Sequence, residues 1–235
     1  MNFTENLISI VKELAFFPQN NVVSKSLTTY ADDTSISRSG LNHEDIIEKL
    51  QEDSIIVLKY MASNGLVANK EKTAFIFIST KKNNEGPKKV NVGGIDIWEG
   101  ESEKLLGIKL SGELDFKEHV KDIVSQSNYR FYLLKKVRPY VSLDQIKILA
   151  TGLVTSKIEY CLGAFSHIYL DETESCRKSE IMKKLQKVQN DLLRIITKSK
   201  LKDRVPIKSL LDKLNTLSVN QMSAKKILNT TCSLK

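Results

Sequence analysis

The stretch Lys25-Ser26-Leu27-Thr28-Thr29-Tyr30-Ala31-Asp32-Asp33-Thr34-Ser35-Ile36-Ser37 decides how the rest of the chain is read. Thr28, Thr29 and Tyr30 before the bend, and Thr34 and Ile36 after it, are strand formers, while Asp32-Asp33 is turn chemistry. The pattern predicts two short β-strands meeting at a tight bend from which adjacent carboxylates project. A hard cation such as Mg²⁺ takes oxygen ligands and is commonly held by one or two carboxylates plus substrate phosphates. Asp-Asp is also an ordinary turn sequence, so the tetrapeptide alone leaves a plain hairpin open.

Outward from this hairpin the chain changes texture twice. Upstream, Glu5 to Phe17 reads as a short helix stopped before Pro18, and residues 1–24 form a separate segment. Downstream, Asn42 is a fitting N-cap with Glu44 and Asp45 in the first turn, and Gly65 closes the helix it opens. Ile46, Leu50, Val57 and Met61 fall on one face of that helix. Thr73 to Ser79 is an apolar strand in which Phe75 and Phe77 are core candidates, and Trp98 is a third. Val90 to Trp98 and Lys104 to Leu110 suggest a hairpin around Glu99-Gly100-Glu101. Beyond Asp115 the pattern is helical, over about 117–138, 142–164, 178–198 and 206–229. The expected fold class is α+β: a β-hairpin with a helix and a small antiparallel sheet over 25–115, then an all-helical bundle over 116–235.

Composition narrows the function classes. Of 235 residues 41% are hydrophobic, enough to bury a core, which excludes global disorder. No run of 18 apolar residues exists, so no membrane span is expected. The start lacks a basic-then-apolar leader, and Cys161, Cys176 and Cys232 have no metal-ligand spacing. The expected location is intracellular, in the nucleus or cytoplasm. Residues 1–115 carry 13 Lys and Arg against 17 Asp and Glu, a balance of −4; residues 116–235 carry 23 against 11, a balance of +12. Such asymmetry points to a polyanionic partner for the second half, with a Lys-rich solvated helical surface as the plainer alternative.

Tyr30-Ala31-Asp32-Asp33-Thr34 resembles the catalytic turn of reverse transcriptases, in particular those of non-LTR, LINE-type (jockey-like) retrotransposons. Four further stretches are similar to the same family in order and spacing. Asn64-Gly65-Leu66-Val67-Ala68-Asn69-Lys70-Glu71-Lys72-Thr73 resembles the palm motif that follows the turn. Lys104-Leu105-Leu106-Gly107-Ile108-Lys109-Leu110 resembles the hairpin that grips the primer. Asp115-Phe116-Lys117-Glu118-His119-Val120 resembles the opening of the thumb, and Leu185-Gln186-Lys187-Val188-Gln189-Asn190 with Arg194-Ile195-Ile196 its Gln-Asn helix.

The resemblance implies a late palm over 25–115 and a thumb over 116–235, in a polymerase that adds nucleotides to a DNA primer on an RNA template. It implies that Asp32 and Asp33 help hold Mg²⁺ or Mn²⁺, that Tyr30 abuts the primer end, and that Lys72 lies near the triphosphate. An exposed Lys beside a strand is the alternative for Lys72. Leu106 and Gly107, with the cations Lys135, Lys136, Arg138, Lys187 and Arg194, are the implied nucleic-acid contacts. The family also uses an earlier palm strand with a third metal-binding Asp. Here the only acids before Tyr30 are Glu5 and Glu13, and neither lies in a matching strand. The expectation is therefore a fragment or remnant of such an enzyme, inactive alone, with a non-catalytic nucleic-acid-binding module as the alternative. His43, His119 and His167 are isolated and read as structural, and Gly93-Gly94 lacks the context of a phosphate cradle.

Overall fold

The computed structural model describes residues 7–11, 24–30, 33–40, 42–78, 88–166 and 175–233. The chain divides into two units, Met1–Asp115 and Phe116–Lys235. The class is α+β, with the strands in the first unit and helices in the second.

In the first unit four strands make one sheet: β1 (Leu7–Val11), β2 (Ser24–Tyr30), β3 (Asp33–Ser39) and β4 (Ala74–Ile76), in the order β2-β3-β1-β4. β2 and β3 pair antiparallel from Ser24↔Ser39 to Tyr30↔Asp33, which is the expected hairpin. β1 is parallel to both of its neighbours, through Leu7↔Asp33 on one side and Ser9↔Ala74 on the other, so this sheet is mixed. One expectation is corrected here. Residues 7–11 are a strand and not part of a helix, because Ile8, Ile10 and Val11 are β-branched and stiff at χ1, and the gap between β3 and β4 offers them ladders on both sides. The strand read over 73–79 lies next to β1 and is separated by it from the hairpin.

Helix α1 (His43–Ser63) starts where Asn42 Oδ1 accepts the Glu44 N–H at 3.1 Å, and ends before Gly65 at φ +72°. Its buried face, Ile46, Leu50, Asp53, Ser54 and Met61, packs on β3, and with Ile36, Phe75, Phe77 and Val90 it forms the core. Asp53 occupies a core position on that face and is 3% exposed. Arg38 Nε of β3 donates to its Oδ2 at 2.5 Å, which fastens the hairpin strand to α1. Breaking one partner of a buried pair strands the other charge, at a cost of roughly 3–5 kcal/mol. Asp53→Ala is expected to lower the unfolding free energy of this unit by about that much, while Arg38→Met with Asp53→Leu recovers most of it. Urea denaturation of the three proteins checks both statements.

The next residues form two hairpins where one was expected. β5 (Lys89–Val92) pairs with β6 (Ile95–Trp98), and β7 (Ser102–Leu105) with β8 (Ile108–Ser111). Each is closed by a two-residue turn with left-handed backbone, Gly93-Gly94 (φ +60° and +88°) and Leu106-Gly107 (φ +46° and +88°). Glu99-Gly100-Glu101 connects the two instead, and the Gly100 N–H donates to Phe75 O at 2.9 Å. Phe75 and Phe77 are buried as expected, whereas Trp98 is 60% exposed. The strand period of two explains it: Ile95 and Ile97 turn inward, which puts Trp98 on the outer face with Asp96.

The second unit is helical: α2 (Lys117–Val137), a 3₁₀ turn (Arg138–Tyr140), α3 (Leu143–Ala150), a π segment (Thr151–Thr155), α4 (Ser156–Glu159), α5 (Leu162–Ser166), α6 (Ser175–Thr197), α7 (Ile207–Leu214) and α8 (Val219–Ser233). Helix α6 is the hub and packs against α2, α3, α7 and α8. The helix expected over 142–164 is broken by the π segment and by Cys161 at φ +53°. The one expected over 206–229 is broken at Asn215, φ +49°, after which the Ser218 N–H donates to Gln221 Oε1 at 2.9 Å and restarts a helix.

Candidate functional site

One edge of the first unit's sheet gathers the residues singled out from sequence. Tyr30 ends β2 and Asp33 begins β3, directly opposite each other, so Ala31 and Asp32 are the whole connection. Tyr30 is 68% exposed and Asp33 half-buried. Asp32 lies outside the described residues. Leu7, at the start of β1, is level with Asp33. The 3₁₀ turn Lys70–Lys72 runs into β4, whose first residue pairs with Ser9, so Lys72 precedes β4 at the end of the sheet where β1 and β3 begin. Lys72 is exposed and closes the 3₁₀ turn Lys70–Lys72, which adjoins β1. Asn69 Oδ1 caps that turn by accepting the Glu71 N–H at 2.9 Å. Tyr30, Asp33 and Lys72 thus share one end of the sheet.

The strand between Asp33 and Lys72 is Leu-Ile-Ser-Ile-Val, without a carboxylate. Among the described residues no group of three His, Cys, Asp or Glu is placed to hold a metal ion. Two divalent cations need more oxygen donors than Asp33 offers here, so the described residues alone do not fit a two-ion centre. His43 is accounted for structurally: its Nδ1 is 2.6 Å from Lys88 Nζ and its ring meets Phe77 edge-on at 4.6 Å. His119 is buried at 6% exposure, and His167 lies outside the described residues. Burial pushes the Cys161 thiol up, which keeps it protonated and unreactive.

Leu106 and Gly107 form the tip of the β7–β8 hairpin, and Leu106 is 40% exposed. A leucine in left-handed backbone costs about 1–2 kcal/mol, so this turn is strained and carries a partly exposed apolar side chain at its tip. Leu106→Asn gives the turn its preferred Asn-Gly sequence and is expected to raise unfolding free energy by about 1 kcal/mol. If Leu106 contacts a ligand, binding weakens in the same variant; thermal unfolding and oligonucleotide titration measure the two.

In the second unit the cations partly converge. Lys135 and Arg138 at the end of α2, and Arg194 on α6, line a cleft of about 710 Å³. Lys198 joins them, so four cations face one carboxylate, Asp191, over a floor that includes the buried Phe131. Arg138 is held in place, its Nε donating to Ile196 O at 2.8 Å and its Nη1 to Val141 O at 3.1 Å. Arg194 Nη2 donates to Val205 O at 3.3 Å, whereas its Nη1 is buried with no partner among the described residues. Lys135, Lys198 and Asp191 make no ion pair among the described residues. Cations near helix C-termini also complement the macrodipole, and Arg138 on the last carbonyls of α6 does so.

The structure leaves two of the sequence candidates out of the cleft. Lys136 does not line it and lies 4.7 Å from the Tyr132 ring centroid. Lys187 is exposed on α6 and does not line it either. The amides around Lys187 hold the fold: Gln189 Nε2 donates to Leu217 O at 2.7 Å and Gln186 Oε1 accepts the Val219 N–H at 3.1 Å, which ties α6 to the start of α8. Lys198 was not singled out from sequence, although its i,i+4 spacing from Arg194 signals it. No helix among the described residues is long and apolar enough to cross a membrane. No family model, no curated protein and no solved structure matches the chain.

Proposed function

We propose that the chain is a palm-and-thumb portion of a reverse transcriptase of the non-LTR, LINE type, and that these 235 residues hold nucleic acid, a DNA primer on an RNA template. The observation that carries this reading is the pairing Tyr30↔Asp33, which makes the Tyr-Ala-Asp-Asp sequence a tight hairpin at an open sheet edge with α1 behind it. Lys72 at the same end of the sheet, the exposed Leu106-Gly107 tip and the basic cleft support it. On this reading Asp32 and Asp33 are two of the carboxylates that hold Mg²⁺ or Mn²⁺, and a third must come from a strand other than β1. The ions would stabilise the attacking hydroxyl and the leaving pyrophosphate. Tyr30 borders the primer end, and Lys72 neutralises phosphate charge.

A second reading, a nucleic-acid-binding module without polymerase chemistry, is favoured by one observation: the strand beside Asp33 is Leu-Ile-Ser-Ile-Val. Both readings require binding. Titration of a labelled primer–template duplex and its single strands at low salt, followed by anisotropy, is the test. Absence of binding to all of them overturns both, and Asp33-dependent nucleotide addition once an acid-bearing palm strand is supplied separates the first from the second.

A further inference from the structure

The residues of α2 that line the cleft, Phe131, Lys135 and Arg138, form one row along the helix. One residue on from it, about 100° around the helix, runs a second row. Tyr129, Tyr132 and Lys136 recur at intervals of three and four, which stacks them on one face of α2, and Tyr140 ends the 3₁₀ turn that follows the helix. The three tyrosines are 68%, 55% and 88% exposed. Single exposed aromatics are ordinary on a protein surface, but two on one helix face and a third just past the helix end, beside a cluster of cations, are not scattered. Tyrosine presents a flat ring on which any base can stack, and a positive groove tracks the phosphates between bases.

We propose that the second unit binds a single-stranded stretch of nucleic acid, with a backbone phosphate in the cleft of Lys135, Arg138, Arg194 and Lys198 and unpaired bases stacked on Tyr129, Tyr132 and Tyr140. This rests on the nucleic-acid reading above and narrows it to one kind of strand. The cleft supplies the anion half of the argument: the charge balance of its lining is +3, and Lys135 and Lys198 have no acidic partner among the described residues. The buried Arg194 Nη1 supplies a donor without an acceptor, and a phosphate oxygen is an acceptor suited to a guanidinium. The tyrosine row supplies the other half. A duplex keeps its base faces within its own stack and offers these rings nothing, whereas a single strand leaves its bases free to splay onto them.

The experiment compares single-stranded RNA, single-stranded DNA and a duplex of equal length, by anisotropy with the full chain at low salt. Single strands are expected to bind at least about tenfold tighter than the duplex, and the RNA and DNA arms report whether the 2′-hydroxyl matters. Tyr129→Ala with Tyr140→Ala should weaken single-strand binding by about tenfold or more and leave duplex binding unchanged, while the Phe pair retains affinity because it keeps the rings. Lys135→Ala with Lys198→Ala should lower affinity for every strand and reduce the salt slope by about two. All four substituted side chains, Tyr129, Tyr140, Lys135 and Lys198, are exposed in the native chain, and circular dichroism verifies that each variant is folded. A duplex that binds as tightly as the single strands, or tyrosine variants that bind like the parent, overturns this inference and leaves the nucleic-acid reading standing. Failure of every oligonucleotide to bind overturns that reading itself.

Discussion

Affinity for nucleic acid is expected to fall by about 10³–10⁵ between 50 and 200 mM salt if six to ten phosphates are contacted. The reason is counterion release: each phosphate neutralised by a Lys or Arg frees condensed cations, and added salt opposes that release. Residues 116–235 hold 23 Lys and Arg against 11 Asp and Glu, so cations are available in sufficient number. Lys135, Lys198 and Lys187 are exposed. Arg138 and Arg194 are anchored to backbone carbonyls yet keep their charge, so they add to the field without having to be ordered on binding. A log–log plot of the association constant against salt should be linear, with a slope near −0.9 per phosphate on duplex and −0.7 on single strands. Affinity that stays flat with salt would mean that the basic half is a solvated surface and nothing more.

The parts of this fold that were legible in the sequence are those whose signals are local. The α1 helix carries its own N-cap at Asn42 and its stop at Gly65, and both operate where the sequence places them. The β2–β3 hairpin was legible because strand formers flank the Asp32-Asp33 bend, although Asp33 itself is the first residue of β3. Where sequence failed, a nonlocal term decided. Leu7–Val11 is a strand because two other strands lie on either side of it, which no window around residue 9 reveals. Other signals were local as well: Gly93-Gly94 is a turn dipeptide and Ser218 to Gln221 is a capping box, whereas Leu106-Gly107 closes a hairpin with a residue that turn does not prefer. Asp53 was hidden because a carboxylate within an apolar helix face is explained only by Arg38, fifteen residues earlier on another element.

The same division applies to the site. Asp33 and Lys72 are far apart in sequence, and the parallel register of β1 brings them to one edge. Spacing alone identified Lys135, Arg138 and Arg194 only as cations; their convergence on one cleft follows from the packing of α2 on α6. Lys198 entered with them because it is one turn beyond Arg194. Lys187 dropped out because its turn of α6 is occupied by Gln186 and Gln189, whose amides hold the chain before α8.

Primer extension gives the largest expected effect: the 235-residue chain alone should incorporate no nucleotide with either Mg²⁺ or Mn²⁺. Two-metal nucleotidyl transfer needs carboxylates on both sides of the ion pair, to activate the 3′-hydroxyl and to stabilise the leaving pyrophosphate. Asp33 faces β1 across the sheet, and β1 offers leucine at the paired position and no acid along its length. Asp32 is the sequence neighbour of Asp33, so the opposing ligand has to come from another segment. Supplying an acid-bearing palm strand with its fingers from a related polymerase, in place of residues 1–24, should restore extension. That activity should vanish in Asp33→Ala and in Asp32→Ala, by several orders of magnitude, with nucleic-acid affinity retained. Extension by the chain alone, abolished by Asp33→Ala, would show that a carboxylate outside β1 already completes the centre. Extension by the chimera that survives Asp33→Ala would instead remove the Tyr-Ala-Asp-Asp hairpin from the chemistry and leave the chain as a nucleic-acid-binding module.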